Sequence, residues 1–318
     1  MTDNVCLVVF ITYNYAANIP KIYKYYGDNF KNIRIIIPYF RSESDDRIIT
    51  VYENCQNYQG MFAQAYPRLK DGEFSHYIFV ADDCILNHGL NQDNILNALK
   101  QDHTSSFITS MDTLVSTSLT WENCNVNLTG FRTKGVEYKA EIPDPVKAVE
   151  LYKRHEKFVN TQFIEFINYI DISLLGDLIT GFYEKVSRII LNRKYKIPAR
   201  YLPKTIKQMP YPLLMGYSDL VVINSHDLQY FCHLCGVFAS MRMFLEIAIP
   251  TALAMACSHI LTEKDIDFIG VTFWKDEREN ELMELKRDCQ GSVKNLFSGD
   301  RKNVLYYHPI KLSSWDVE

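Results

Sequence analysis

The chain has 318 residues, 47 % of them hydrophobic and 13 % aromatic, with a formal net charge of −4. That length and apolar content suffice for a large buried core, in one big domain or two. A charge so near neutral points to neither a nucleic-acid binder nor an acidic tail. In chain order, Val5 to Tyr13 is a continuous apolar run, the mark of a strand buried on both faces. Helical spacing follows from Ile19 to Asn29, then a strand from Ile33 to Pro38 and a short one around Ile48 to Tyr52. A helix is expected over Tyr58–Leu69, a strand over His76–Ala81, a helix over Leu90–Leu99 and a strand over Ser106–Ser110. Strands alternating with helices indicate βαβ units and a mostly parallel sheet, whose sites lie beyond the carboxyl ends of the strands.

Residues 111–208 break this rhythm. Met111 to Lys139 is polar and reads as irregular or short antiparallel structure, and Pro143 and Pro145 precede a helical stretch from Val146 to Tyr169. From Asp171 to Lys207, eight basic residues (Lys185, Arg188, Arg193, Lys194, Lys196, Arg200, Lys204, Lys207) accompany two acids after Gly176, Asp177 and Glu184. The first part is amphipathic, either a packed helix with a solvated basic face or a surface that docks on anionic lipid or an anionic acceptor. Residues 209–318 resume with a strand at Leu220–Asn224, a helix capped by Ser225 and interrupted near Pro250, a strand at Phe268–Thr272 and a final stretch from Val304 to Trp315.

Eight cysteines are scattered, and Cys232-His-Leu-Cys235 has no second pair at zinc spacing, so buried thiols are expected. No apolar run approaches the roughly 20 residues of a membrane span. The N-terminus has no cleavage-site pattern, and the expected location is cytoplasmic.

The strongest local signal is His76-Tyr-Ile-Phe-Val-Ala-Asp82-Asp83-Cys-Ile-Leu86. A buried strand here delivers two adjacent carboxylates at its carboxyl end, which is costly unless a cation or hydrogen-bond donors compensate them. Mg²⁺ or Mn²⁺ does so with oxygen ligands, commonly one or two carboxylates plus substrate phosphates. Glu246 lies in an otherwise apolar stretch, where an unpaired carboxylate holds its proton more tightly. It is a candidate general base, or else a capping group or a partner of Arg242, and Asp219 is its rival. In Tyr306-Tyr307-His308-Pro309-Ile310-Lys311, an imidazole can complete a Mn²⁺ shell and a lysine can bind diphosphate as a point charge.

These segments resemble the GT-A-fold glycosyltransferases of bacterial capsule and lipopolysaccharide synthesis. Ala81-Asp82-Asp83 is similar to the family's DxD region, with Ala81 where many relatives carry a first acid. The resemblance implies a GT-A-like single α/β domain: a mostly parallel twisted sheet flanked by helices, with a helical or irregular insertion in the middle third. Residues 1–110 would be the Rossmann-like nucleotide-sugar half, 111–208 the insertion, and 209–318 the acceptor side with a closing C-terminal segment. Asp83 and His308 would hold Mn²⁺ or Mg²⁺, with Asp82 on ribose or sugar. Thr12, Tyr13 and Asn14 would meet the base. Gln59 and Gly60 would lie beside the donor, with Lys311 on its diphosphate, and Glu246 or Asp219 would serve the acceptor. The expected partners are a nucleotide-sugar donor and a glycan or lipid-linked glycan acceptor, with no nucleic acid and peripheral contact with the inner membrane surface. A sugar- or nucleotide-binding protein without turnover, or a nucleotidyltransferase, is the rival reading. The chain has no G-x-G-x-x-G, Walker loop, G-x-S-x-G or H-E-x-x-H.

Overall fold

A computed structural model describes residues 4–13, 15–41, 45–70, 72–113, 140–157, 211–273 and 278–317. The basic segment from Asp171 to Lys207, most of the polar stretch after Met111, and Asn14 lie outside the described residues.

The first part of the chain forms β1 (Val5–Phe10), α1 (Ile19–Tyr26), β2 (Ile33–Pro38), β3 (Ile48–Val51), α2 (Tyr58–Leu69) and β4 (His76–Ala81). Then come β5 (Ile85–Leu86), α3 (Ile95–Ala98), β6 (Ser105–Ile108), β7 (Asp112–Thr113) and α4 (Pro145–Tyr152). The last part contributes β8 (Leu214–Met215), β9 (Leu220–Asn224), α5 (Ser225–Ser240), α6 (Leu245–Ala256), β10 (His259–Leu261), β11 (Ile269–Thr272), α7 (Glu279–Asp288) and β12 (Val304–His308).

Seven strands form one sheet in the order β10-β6-β9-β4-β1-β2-β3. All neighbours in it are parallel except β9, which runs antiparallel to both β4 and β6. The fold is therefore mixed α/β with a mostly parallel sheet flanked by helices, shared by the first and last thirds of the chain. Alternation along β1 sorts the core. Cys6, Val8 and Phe10 face the cluster built with α2, α5 and α6, whereas Val5, Leu7 and Val9 face the cluster that contains residues of α1, α3 and β12. Both faces of the strand are covered, which is why it reads as one unbroken apolar run. A smaller sheet, β11-β12-β5, stands beside the main one, with β12 antiparallel to β5.

Several expectations are corrected. The first strand ends at Phe10, and Ile11 to Tyr13 leave the sheet. Within Leu90–Leu99 only Ile95–Ala98 is helix, the rest being turn or irregular. The Asn91 carboxamide accepts from the amides of Asp93 and Asn94, offering the backbone a local alternative to helix. The cap of α5 is Asn224, whose Oδ1 accepts from Asp227 N at 3.0 Å, and not Ser225.

The interruption expected at Pro250 falls earlier, at Met241–Phe244, where Arg242 has a φ of 56°. Pro250 lies inside α6. A proline cannot donate to the carbonyl four residues before it, here that of Glu246. Gly216 N donates to that carbonyl instead, at 2.9 Å, and so pins the loop before β9 onto the first turn of α6. A Cβ on Gly216 would stand 2.0 Å from the backbone oxygen of Ser110. Gly216→Ala is expected to destabilise the fold by about 1–3 kcal/mol, the range for overpacking against immovable neighbours. Urea unfolding at neutral pH measures it, and an unchanged midpoint would contradict this account.

Candidate active site

The reversal of β9 brings two distant acids together. Because β9 is antiparallel to β4, with Leu220 opposite Val80, its beginning lies at the carboxyl end of β4. Asp219 therefore stands next to Asp82 and Asp83, and Ala81 N donates to the Asp219 carbonyl at 2.9 Å. β12 ends at the same edge, where Ile310 N donates to the Asp83 carbonyl at 2.7 Å and carries His308 with it. Glu246 arrives on the first turn of α6 through the Gly216 pin.

The four carboxyl groups have different surroundings. Asp82 is only 6 % exposed. Its Oδ2 accepts from Asn18 Nδ2 at 3.0 Å, and its Oδ1 accepts weakly from Thr12 N and Oγ1 at 3.4 and 3.5 Å. Burial, with Asp83 adjacent, pushes the Asp82 carboxyl up to about 6. Asp83 is more open, its side chain 30 % exposed, and its Oδ1 lies 3.2 Å from His308 Nε2. His308 is almost fully buried, and its Nδ1 lies 3.5 Å from Asp219 Oδ2. Burial by itself would make His308 a weaker base. The hydrogen bond to Asp83 and the charges of Asp219, Asp83 and Glu246 outweigh it and raise the pKa above its ordinary value. Burial also raises Asp219, against the attraction of His308. Glu246 is pushed up to about 7, first by burial and then by Asp219. No ion pair joins it to Arg242 among the described residues.

Three buried polar atoms nearby have no hydrogen-bond partner among the described residues: Tyr58 Oη, Gln59 Oε1 and Ser218 Oγ. Tyr58 heads α2 with its ring against Phe10, 4.5 Å between centroids. Its hydroxyl is held protonated first by burial and then by the charge of Asp219, with Cys84, Asp83 and Asp82 adding to it. Five exposed tyrosines rim the same edge. Tyr13 and Tyr15 follow β1, Tyr39 follows β2, Tyr52 follows β3, and Tyr217 precedes the reversed β9.

Of the residues singled out in the sequence, Asp82, Asp83, Asp219, Glu246 and His308 come together, with Thr12 bound to Asp82. Tyr13 is exposed beside Cys55, whose hydrogen bond with the phenol pushes it up to about 12. Lys311 is exposed and is brought to this edge by the Ile310–Asp83 bond. Gln59 is fully buried and spends its Nε2 on Asn57 Oδ1 and the Met243 carbonyl, and Gly60 packs against Glu53. Cys232 and Cys235 are buried free thiols on α5. A cavity of about 500 Å³ lies between α2 and α5, lined by Ala63, Tyr66, Cys232 and His233 among others and by none of the four acids. It is an open surface hollow without carboxylates.

Sequence reasoning missed Asn18, Tyr58 and Ser218. Asn18 precedes a helix and reads as an ordinary cap, while Tyr58 and Ser218 each lie one place from a residue already singled out, Gln59 and Asp219. No family model matches the chain, and no curated protein matches it.

A divalent cation fits part of this donor set. Two cis ligands of an octahedral ion bound at about 2.1 Å stand about 3 Å apart, and Asp83 Oδ1 and His308 Nε2 are 3.2 Å apart. Among the described residues no three His, Cys, Asp or Glu side chains converge on one point.

The raised carboxyls have a consequence for stability. Folded Glu246 keeps its proton up to about pH 7, whereas the unfolded chain releases it near 4.5. Below 4.5 both states are protonated. As pH climbs from there to about 7, the unfolded state gains by ionising and the fold loses stability, with no further loss above. Asp82, raised to about 6, acts in the same direction. Unfolding free energy in metal-free buffer is therefore expected to fall between pH 4.5 and 7, and Glu246→Gln to make the fall shallower. Urea titrations across that range check it, and a slope unchanged in the variant would refute the role given to Glu246.

Proposed function

We propose that the chain is a metal-dependent glycosyltransferase of GT-A fold that moves a sugar from a nucleotide-diphosphate donor to a glycan or lipid-linked glycan acceptor. The observation that carries the reading is the gathering of Asp83 and His308 with Asp219 and Glu246 at the carboxyl edge of a mostly parallel sheet. Binding sites in open α/β sheets lie at that edge. The mixed sheet is compatible with a GT-A fold. Among the described residues no helix is long and apolar enough to cross a membrane.

In this reading Asp83 and His308 hold Mn²⁺ or Mg²⁺, and Lys311 adds a positive charge for the diphosphate. The ion, when bound, neutralises the diphosphate and makes it a better leaving group. Asp82 is already engaged by Thr12 and Asn18, so it braces the end of β1 against β4 and leaves ion contact to Asp83. The acceptor hydroxyl attacks the anomeric carbon while the bond from that carbon to the diphosphate breaks. Glu246 or Asp219 orients this hydroxyl and, in an inverting reaction, takes its proton. A carboxyl poised near 7 is suited to accept a proton at neutral pH. In a retaining reaction the same acids position the sugar. Exposed tyrosine rings along the rim supply faces on which a base or a sugar ring stacks.

Asp83→Ala is expected to abolish Mn²⁺-dependent binding of nucleotide-sugars while leaving the melting temperature within a few degrees. Titration calorimetry with and without Mn²⁺ measures it, and retained binding would remove Asp83 from the ion. Glu246→Gln is expected to keep donor binding and lose about a hundredfold in transfer or donor hydrolysis, the lower end of the range for general acid–base catalysis. Metal-dependent binding by the unaltered chain with neither hydrolysis nor transfer would favour a binding protein without turnover. Release of pyrophosphate from a nucleoside triphosphate would favour a nucleotidyltransferase.

A further inference from the structure

β12 carries His308 to the site, and one carboxylate from the main sheet holds the small sheet around it. Between β11 and β12 the ladder shifts register. Ile269 stands opposite Val304, but Gly270 stands opposite Tyr306, and Val271 and Thr272 follow opposite Tyr307 and His308. Leu305 is the extra residue of this bulge, and its carbonyl accepts from Asn87 N at 2.9 Å on the other flank. His308 lies beyond the bulge, so its place depends on how the bulge is held.

Glu263 holds both residues of the shifted pair. Its Oε2 accepts from Gly270 N at 3.0 Å, and its Oε1 accepts from Tyr306 Oη at 2.8 Å. A Cβ on Gly270 would stand 2.2 Å from the Tyr306 ring, so glycine is what lets the phenol pass this close to β11. Glu263 is itself tied to the main sheet. Its amide donates to the Thr109 carbonyl at 3.2 Å, just past β6. The Thr109 hydroxyl donates in turn to the Tyr217 carbonyl at 2.8 Å, two places before Asp219. The carboxylate thus joins the strand that carries His308 to the segment that carries Asp219.

His308 is two places beyond Tyr306, and in a strand such residues share a face. The backbone bonds from Phe273 N to the His308 carbonyl and from Ile310 N to the Asp83 carbonyl fix where β12 ends. A bond at the tip of a tyrosine, far from the strand axis, resists rotation of that face with a longer lever than a backbone bond has. It therefore governs the aim of His308, whose Nε2 lies 3.2 Å from Asp83 Oδ1 and whose Nδ1 lies 3.5 Å from Asp219 Oδ2.

We infer that Glu263 is a positioning residue for His308: by clamping Gly270 and Tyr306 to the main sheet, it aims the imidazole at Asp83 and Asp219. The consequence for ion binding rests on the glycosyltransferase reading above, whereas the aim of the imidazole does not.

Three variants test the clamp. Glu263→Ala removes it, and Tyr306→Phe removes half of it and keeps the ring. Glu263→Gln keeps an oxygen for Gly270 N and offers an amide to the phenol oxygen. Leu228→Ala, in the core cluster that holds none of β12, is the control for lost stability alone. Two readouts are taken at one pH. The first is the proton–nitrogen NMR signals of the His308 imidazole in metal-free buffer, assigned by their loss in His308→Ala. The second is Mn²⁺ affinity by electron paramagnetic resonance. Glu263→Ala and Tyr306→Phe are expected to move the His308 signals and weaken Mn²⁺ binding about tenfold, the lower end of the effect of groups that orient metal ligands. Glu263→Gln should restore both, and Leu228→Ala should lower the melting temperature and change neither. His308 signals unmoved in Glu263→Ala and Tyr306→Phe overturn the inference, and if Glu263→Ala does not fold, Tyr306→Phe decides alone. Equal changes in Leu228→Ala would reduce the effect to lost stability and overturn it. Glu263→Gln behaving like Glu263→Ala would make the charge responsible and not the clamp, and also overturns it. If the unaltered chain binds no Mn²⁺, the ion assigned under the proposed function falls, and the His308 signals still decide the inference.

Discussion

Carboxylates brought out of water into one place repel each other, and much of the architecture around the carboxyl edge of the sheet is a response to that repulsion. Each acid is relieved in a different way. Asp82 is surrounded by donors from Thr12 and Asn18, and Asp83 and Asp219 share the imidazole of His308. Glu246, buried beside Asp219 and in no ion pair among the described residues, keeps its proton to near neutrality. The acids thereby acquire distinct characters from their surroundings and not from their chemistry. One is buried and braced, one is open and paired, and one is poised to exchange a proton. This differentiation makes the cluster a candidate for catalysis, since four equivalent carboxylates would be a charge problem only.

Much of the fold was readable because its strands are buried on both faces. The six-residue runs at Val5–Phe10, Ile33–Pro38 and His76–Ala81 have no other stable use in a chain of this composition. The direction of β9 was not readable. Leu220 to Asn224 is apolar whichever way it runs, and its orientation is settled by partners on either side. That reversal matters more to the site than any strand taken alone, because it turns an acid before a strand into one at the carboxyl edge. The helical break was misplaced for a related reason. Proline is read as a breaker, yet Pro250 is accommodated because a glycine elsewhere in the chain supplies the donor that the helix lost.

The legible part of the site followed from residue type: adjacent acids after a buried strand, an acid in an apolar helix, a histidine and lysine after a terminal strand. Its illegible part consists of groups whose meaning is relational. Asn18 matters because it reaches a residue 64 positions away. The Tyr58 hydroxyl meets no hydrogen-bond partner among the described residues, and such a lack leaves no trace in a sequence.

One pattern in the backbone bears on how such a site can change. Asp82 gives its amide to Phe10, Asp83 receives Ile310 on its carbonyl, Asp219 receives Ala81, and Glu246 receives Gly216. All four acids are thus fastened by atoms that every amino acid possesses. The demanding positions lie one step away, at Gly216, where no side chain fits, and at Pro250, whose missing hydrogen leaves the Glu246 carbonyl open to Gly216. Apart from Asp82, whose carboxylate also ties Thr12 and Asn18, side-chain identity at the acidic positions is therefore largely uncoupled from the scaffold that presents it. Mutation can exchange those side chains while the frame beneath them keeps its shape.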